Sequence, residues 1–126
     1  MKKIINISKD FSPAPAGRYR DHGNFTGEVF REDYLLPALL NSTNDSVEII
    51  LDGLEGIGAS FWDEAFGEMI RTKKISLEVL QEKLKLVCQD DPTLIPTIYS
   101  VINEAQGEIK WQRTIGYLLL ELLYNS

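Results

Sequence analysis

The sequence predicts a small α/β domain, bordering on α+β, in which a mixed sheet is backed by helices. Three observations carry this. Val47 to Leu51 form an apolar run that stops at Asp52; a glycine-rich turn with Gly53, Gly56 and Gly58 follows, and from Ser60 the apolar residues Phe61, Ala65, Phe66, Met69 and Ile70 recur at helical spacing. That is a buried strand, a tight turn and a helix, a common way for an α/β domain to present a site. Second, short strand-like runs alternate with helical patterns along the chain, which points to a sheet with helical crossovers and parallel central strands. Third, the segment from Lys110 to Tyr124 is apolar nearly all round from Tyr117 onward, so it needs cover on more than one side, from this domain or from another chain.

The elements follow in order. Lys3 to Ser8 read as a short strand rich in isoleucine. Pro13, Pro15, Gly17 and Gly23 then forbid a helix, leaving a loop with room for a brief strand near Arg18 to Arg20. From Thr26, the residues Val29, Phe30, Leu36, Leu39 and Leu40 share one helical face; Thr26 suits the N-cap and Glu28 the first turn, while Pro37 is expected to kink or divide the helix. The polar run Asn41 to Asp45 closes it.

Val47 to Leu51 are expected as the central strand, because apolar residues fall on both of its faces. The following helix is expected to run to about Thr72, with Ser60 and Asp63 at capping-box spacing. Ser76 caps a short helix near Ile75 to Gln81, and Leu84 to Cys88 read as a further strand. Asp91-Pro92 is a helix start; Leu94, Ile95, Ile98, Val101, Ile102 and Ala105 form the stripe, and Gly107 is expected to end that helix. A separate C-terminal helix is expected from about Lys110 to Tyr124.

Composition narrows the function. At 126 residues the chain is one domain with a single core, and a net charge of −6 argues against nucleic acid as a partner. One cysteine, Cys88, and one histidine, His22, exclude an internal disulfide framework and a Cys/His zinc site, and fit a reducing cytoplasm. No signal-peptide core or membrane span is expected, and neither a metal nor a cofactor is implied. No Ser/His/Asp or Cys/His set can be nominated by spacing, so no catalytic residue is assigned.

Two multi-residue motifs stand in order. Gly17-Arg18-Tyr19-Arg20 leads to Thr26-Gly27-Glu28, Phe30-Arg31 and Pro37; Ser60-Phe61, Glu64 and Phe66-Gly67 follow the central strand. In these motifs the chain resembles the STAS-like family of unknown function, small bacterial domains related to anti-sigma-factor antagonists. The resemblance covers residues 1–106, with Thr26 where serine is more usual; residues 107–126 stand as a C-terminal helical extension, packed on the domain or on a partner.

The resemblance implies a STAS-type fold with a mixed, mostly parallel sheet of about four strands. It also implies a non-enzymatic regulatory role toward a histidine-kinase-like ATPase or another signalling protein, with Ser60 at the position such a kinase phosphorylates. Arg18, Arg20, Thr26, Gly27, Glu28, Asp52, Phe61 and Glu64 are the expected partner-binding and turn residues.

Plainer readings stand beside these. Ser60 can be an N-cap and no more. Glu64 can be a solvated acid or the partner of Arg18 or Arg20 across the turn. Arg18, Arg20 and Arg31 can hold an anion for a small-molecule or nucleotide-binding protein, or they can pair with Asp21, Glu28 and Asp33. Trp111, Leu118, Leu119 and Leu122 are candidates for a homodimer interface through the C-terminal helix.

Overall fold

In a computed structural model of the chain, backbone is described for residues 1–124 and side chains for residues 1–109 and Leu122. The sheet has three strands in the order β1 (Lys2–Asn6), β2 (Ser46–Ile50), β3 (Leu84–Val87). Both pairings are parallel, with Lys2 opposite Ser46 and Val47 opposite Leu84. The α/β class and the central place of Val47 to Ile50 hold. The sheet is three-stranded and wholly parallel among the described residues, against the expected four or so. The brief strand expected near Arg18 to Arg20 is instead a 3₁₀ turn, Arg20–His22. Gly17 and Gly23 flank it at φ of 89° and 154°, which turns the chain away from a strand path.

Helix α1 spans residues 27–40 and α2 spans residues 59–71. Each contains one π-helical turn, Arg31–Leu35 in α1 and Asp63–Gly67 in α2. Helix α3 is Leu77–Lys83 and α4 is Leu94–Tyr124. One face of the sheet carries Ile5, Val47, Ile49 and Leu84, all buried with Phe30, Phe61, Trp62, Phe66 and Met69 of α1 and α2. On the other face Ile4 and Lys85 are exposed and Ile50 is half-buried, so among the described residues the core lies on one side of the sheet.

Local chemistry accounts for the helix starts. The Thr26 hydroxyl accepts from the Val29 N–H at 3.4 Å, and the Ser76 hydroxyl accepts from the Val79 N–H at 3.2 Å. Pro37 does not divide α1. The wide turn directly before it sends the Leu36 N–H to the Arg31 carbonyl, five residues back, and loosens the helix where a proline ring would crowd the preceding turn.

Gly107 does not end its helix: α4 runs through residues 106 and 107 without a break. Ile98, Ile102, Ala105 and Ile109 are buried at alternating spacings of four and three, whereas a side chain at 107 would meet open space. Packing of that stripe outweighs a helix-propensity cost of about 1 kcal/mol for one glycine.

Candidate functional site

Two loops leave the carboxyl ends of β2 and β3 side by side. Asp52 Oδ1 accepts from the amides of Gln89 and Asp90 at 2.8 and 2.9 Å, and Asp90 Oδ2 accepts from the Gly53 amide at 2.8 Å. Each loop thus supplies the acid that satisfies the other's backbone. Gly53 makes the turn at a φ of 83°, where a side chain would be strained. The Cys88 thiol donates to Asp90 Oδ1 at 3.2 Å, and burial pushes that thiol up, so it stays protonated. Ligand atoms of Asp52, Cys88 and Asp90 lie within 4.8 Å of one another. Their hydrogen bonds already account for them as a loop staple.

The loop before α1 folds back on the helix that follows it. The Gly27 N–H donates to the Gly17 carbonyl at 3.0 Å, the Glu28 N–H to the Arg18 carbonyl at 2.9 Å, and the Arg20 N–H to Glu28 Oε1 at 2.8 Å. Gly27 is where α1 meets α2. A Cβ there would lie 2.8 Å from the Phe61 carbonyl oxygen and 2.8 Å from Glu64 Cβ, so only glycine allows this approach.

One turn further along α1, the Arg31 guanidinium is buried against α2. It donates to the Glu64 backbone carbonyl and lies 3.3 Å from Glu64 Oε1. The π turn explains why that carbonyl is available: the Glu68 N–H, which would reach Glu64 in an α-helix, goes back to Asp63. The burial of two charges is tolerable because they face each other and share hydrogen bonds.

Outside this buried pair lies a lattice of half-buried and exposed charges. Arg18 bonds Asp63 at 2.7 Å and approaches Glu64 at 3.7 Å. Arg71 bonds Asp63 at 3.0 Å and Glu68 at 2.9 Å, and approaches Glu108 of α4 at 3.8 Å. Burial opposes the charge on Asp63, yet hydrogen bonds from Arg71 and Arg18 outweigh it and hold the carboxyl below the usual carboxylate range. Arg20 bonds Asp33 at 2.5 Å and approaches Glu32 at 3.6 Å.

The three arginines therefore stand in ion pairs, as the plainer reading had it, and partly with the acids it named, since Arg20 meets Asp33 and Arg31 approaches Glu28 at 4.0 Å. Arg20 takes Asp33, Arg31 takes Glu64 across the helix interface, and Asp21 faces His22 at 3.8 Å. The expected contact of Arg18 with Glu64 is present, with Asp63 as the closer acid. The pairing of Asp63 with Arg71 is not marked by the sequence; the i, i+8 spacing of the two carries no local signal, since helical neighbours lie three or four apart.

Ser60 needs a correction. Gly58 is the N-cap of α2, in extended backbone, and Ser60 is the second helical residue, so it forms no capping box with Asp63. Its side chain is exposed, and its hydroxyl makes no hydrogen bond among the described residues. Phe61 needs one too: it is fully buried, packed on Trp62 at 5.2 Å between ring centroids and on Phe30 at 6.2 Å, so it is core and not contact surface. Thr26, Gly27 and Glu64 are also buried and shape the junction from inside; Arg18, Arg20 and Glu28 reach its surface, whereas Asp52 belongs to the staple between the loops after β2 and β3. Side chains of Trp111, Leu118 and Leu119 lie outside the described residues, while Leu122 is 69% exposed.

As chemistry, the junction clamps a loop and two helices by paired guanidinium and carboxylate groups, with one free hydroxyl at its edge. No helix among the described residues is long and apolar enough to cross a membrane. No curated protein and no solved structure matches the chain. A family model described as the STAS-like domain of unknown function (DUF4325) matches residues 26–93, which run from the Thr26 cap of α1 through all of α2 to the loop after β3. The chain belongs to that STAS-like family of domains of unknown function.

Proposed function

We propose that the protein is a regulatory binding module and not an enzyme, and that it meets a histidine-kinase-like ATPase or another signalling protein through the Ser60 turn and the Arg18 loop. Ser60 would be its phosphorylation site. The observation that carries this reading is the state of Ser60: exposed, without a hydrogen bond among the described residues, and directly after the glycine-rich turn that leaves the central strand.

The physics of such a switch is simple. Ser60 stands three and four residues before Asp63 and Glu64, hence on one helical face with them. A phosphate would add a charge of roughly −1.5 to −2 beside two carboxylates and would compete with them for Arg18. Arg18 is 38% exposed and able to change partner. A small-molecule anion site built on Arg18 and Arg20 has less support, since both guanidiniums are already engaged by carboxylates.

The test is capture of ATPase-domain proteins from native lysate by wild type, Ser60→Ala and Ser60→Asp, with intact-mass analysis of the purified wild type. Capture by wild type and Ser60→Ala, lost with Ser60→Asp, is the expected result, together with one added phosphate on the wild type. Equal capture by all three and no mass shift would reduce Ser60 to an ordinary first-turn residue.

A further inference from the structure

Among the described residues, Arg18 is the arginine of the junction whose two acids each keep another arginine. Asp63 Oδ2 accepts from Arg18 Nη1 at 2.7 Å, but Arg71 also donates to both carboxylate oxygens of Asp63, at 3.0 and 3.1 Å. Glu64 lies 3.7 Å from Arg18 and 3.3 Å from Arg31. Arg18 is also the most open of the three, with its side chain 38% exposed against 22% for Arg71 and 11% for Arg31. Its backbone is fixed to α1, because the Glu28 N–H donates to the Arg18 carbonyl at 2.9 Å. The guanidinium can therefore swing to a new anion while the loop, α1 and α2 stay in place.

Ser60 offers a place for that anion. It stands three residues before Asp63 on α2, a spacing that sets β-carbons roughly 5–6 Å apart. We propose that Arg18 is the receptor for a phosphate monoester on Ser60: phosphorylation moves its guanidinium from Asp63 to the phosphate, while Arg71 keeps Asp63 and Arg31 keeps Glu64. This rests on the reading of Ser60 as the phosphorylation site. In that step Ser60 Oγ attacks the γ-phosphorus of a nucleoside triphosphate held by the kinase. The bond from that phosphorus to the bridging oxygen breaks, the nucleoside diphosphate leaves, and the hydroxyl proton passes to a base of the kinase. A guanidinium fork bonds phosphate oxygens in pairs. Without the exchange the new charge would face Asp63 and Glu64 alone, which is repulsive.

The test is a phosphorus-31 NMR titration of the full chain carrying phosphoserine at position 60, introduced at translation. Free phosphoserine loses its second proton near pH 6. A guanidinium at the phosphate favours the dianion, so Arg18→Ala is expected to raise that midpoint by about half a unit, and Arg18→Lys by less. Lys74→Ala removes the same charge at the far end of α2, about 20 Å along the helix, and is expected to leave the midpoint unchanged. An Arg18→Ala midpoint equal to wild type would overturn the proposal, as would a Lys74→Ala shift of the same size. So would saturable binding of inorganic phosphate at millimolar concentration to the unmodified chain, lost with Arg18→Ala, which would assign the receptor to a free anion. The phosphate is present without any kinase, so the receptor and the kinase partner are tested separately and fail separately.

Discussion

Arg31 and Arg20 lie eleven positions apart, one in the second turn of α1 and one in the loop before it, and each faces carboxylates, yet they belong to different kinds of structure. Arg31 is sealed between α1 and α2, with its side chain 11% exposed and Glu64 at 5%. Arg20 and Asp33 are 45% and 47% exposed. The inner pair holds two helices at a separation that Gly27 makes possible. The outer pairs decorate that junction, and water and salt compete for them. Burial, more than charge or distance, decides which arginine is architecture and which is surface.

This contrast can be broken at several points. The largest loss is expected from Arg31→Ala, which strips the buried Glu64 of its inner partner and leaves only Arg18, 3.7 Å away; a destabilisation of about 3 kcal/mol or more is expected in urea unfolding. Gly27→Ala comes next. Its methyl would meet the Phe61 carbonyl and Glu64 Cβ, and because backbone gives little, overpacking of about 1–3 kcal/mol is expected by the same measurement.

Asp63 sharpens the comparison through pH. Its carboxyl is depressed in the folded state, so its stabilising contribution is complete above the ordinary value of 3.8 and disappears as pH falls through the lower folded value. Asp63→Asn should therefore lower the melting temperature at neutral pH and flatten its fall below pH 3.8. An acid limb as steep as wild type would show that Asp63 contributes nothing there. Arg20→Ala is the smallest: the urea midpoint should stay within error of wild type. A clear shift would mean that the loop lattice is structural after all.

Much of this was legible in the residues because much of it is local. The caps at Thr26 and Ser76 follow from a hydroxyl placed before an apolar helical pattern, and the strands follow from short apolar runs. What escaped notice depends on distance or on backbone detail. Arg31 and Glu64 are separated by thirty-three positions, and no periodicity links them. The two π turns have no side-chain signature, yet the one in α2 makes the Glu64 carbonyl available to Arg31. The hydroxyl of Ser60 points to a cap two residues late, since Gly58 takes the extended capping conformation without offering a side chain to identify it. Gly107 looked like a stop because glycine favours helix ends, but the stripe on either side of it is held by the core.

The wholly parallel sheet also has a history in time. None of its strands can close on a neighbour through a hairpin: β1 must wait for Ser46–Ile50, and β2 for Leu84–Val87. Pairings that span so much chain fold slowly. During synthesis, at roughly 5–20 residues per second, each strand would stand with an open edge for roughly two to eight seconds before its partner is made. Lys2 and Lys3 on β1 and Lys85 on β3 keep charge on those edges, a protection against the wrong neighbour that is needed most before the domain is complete.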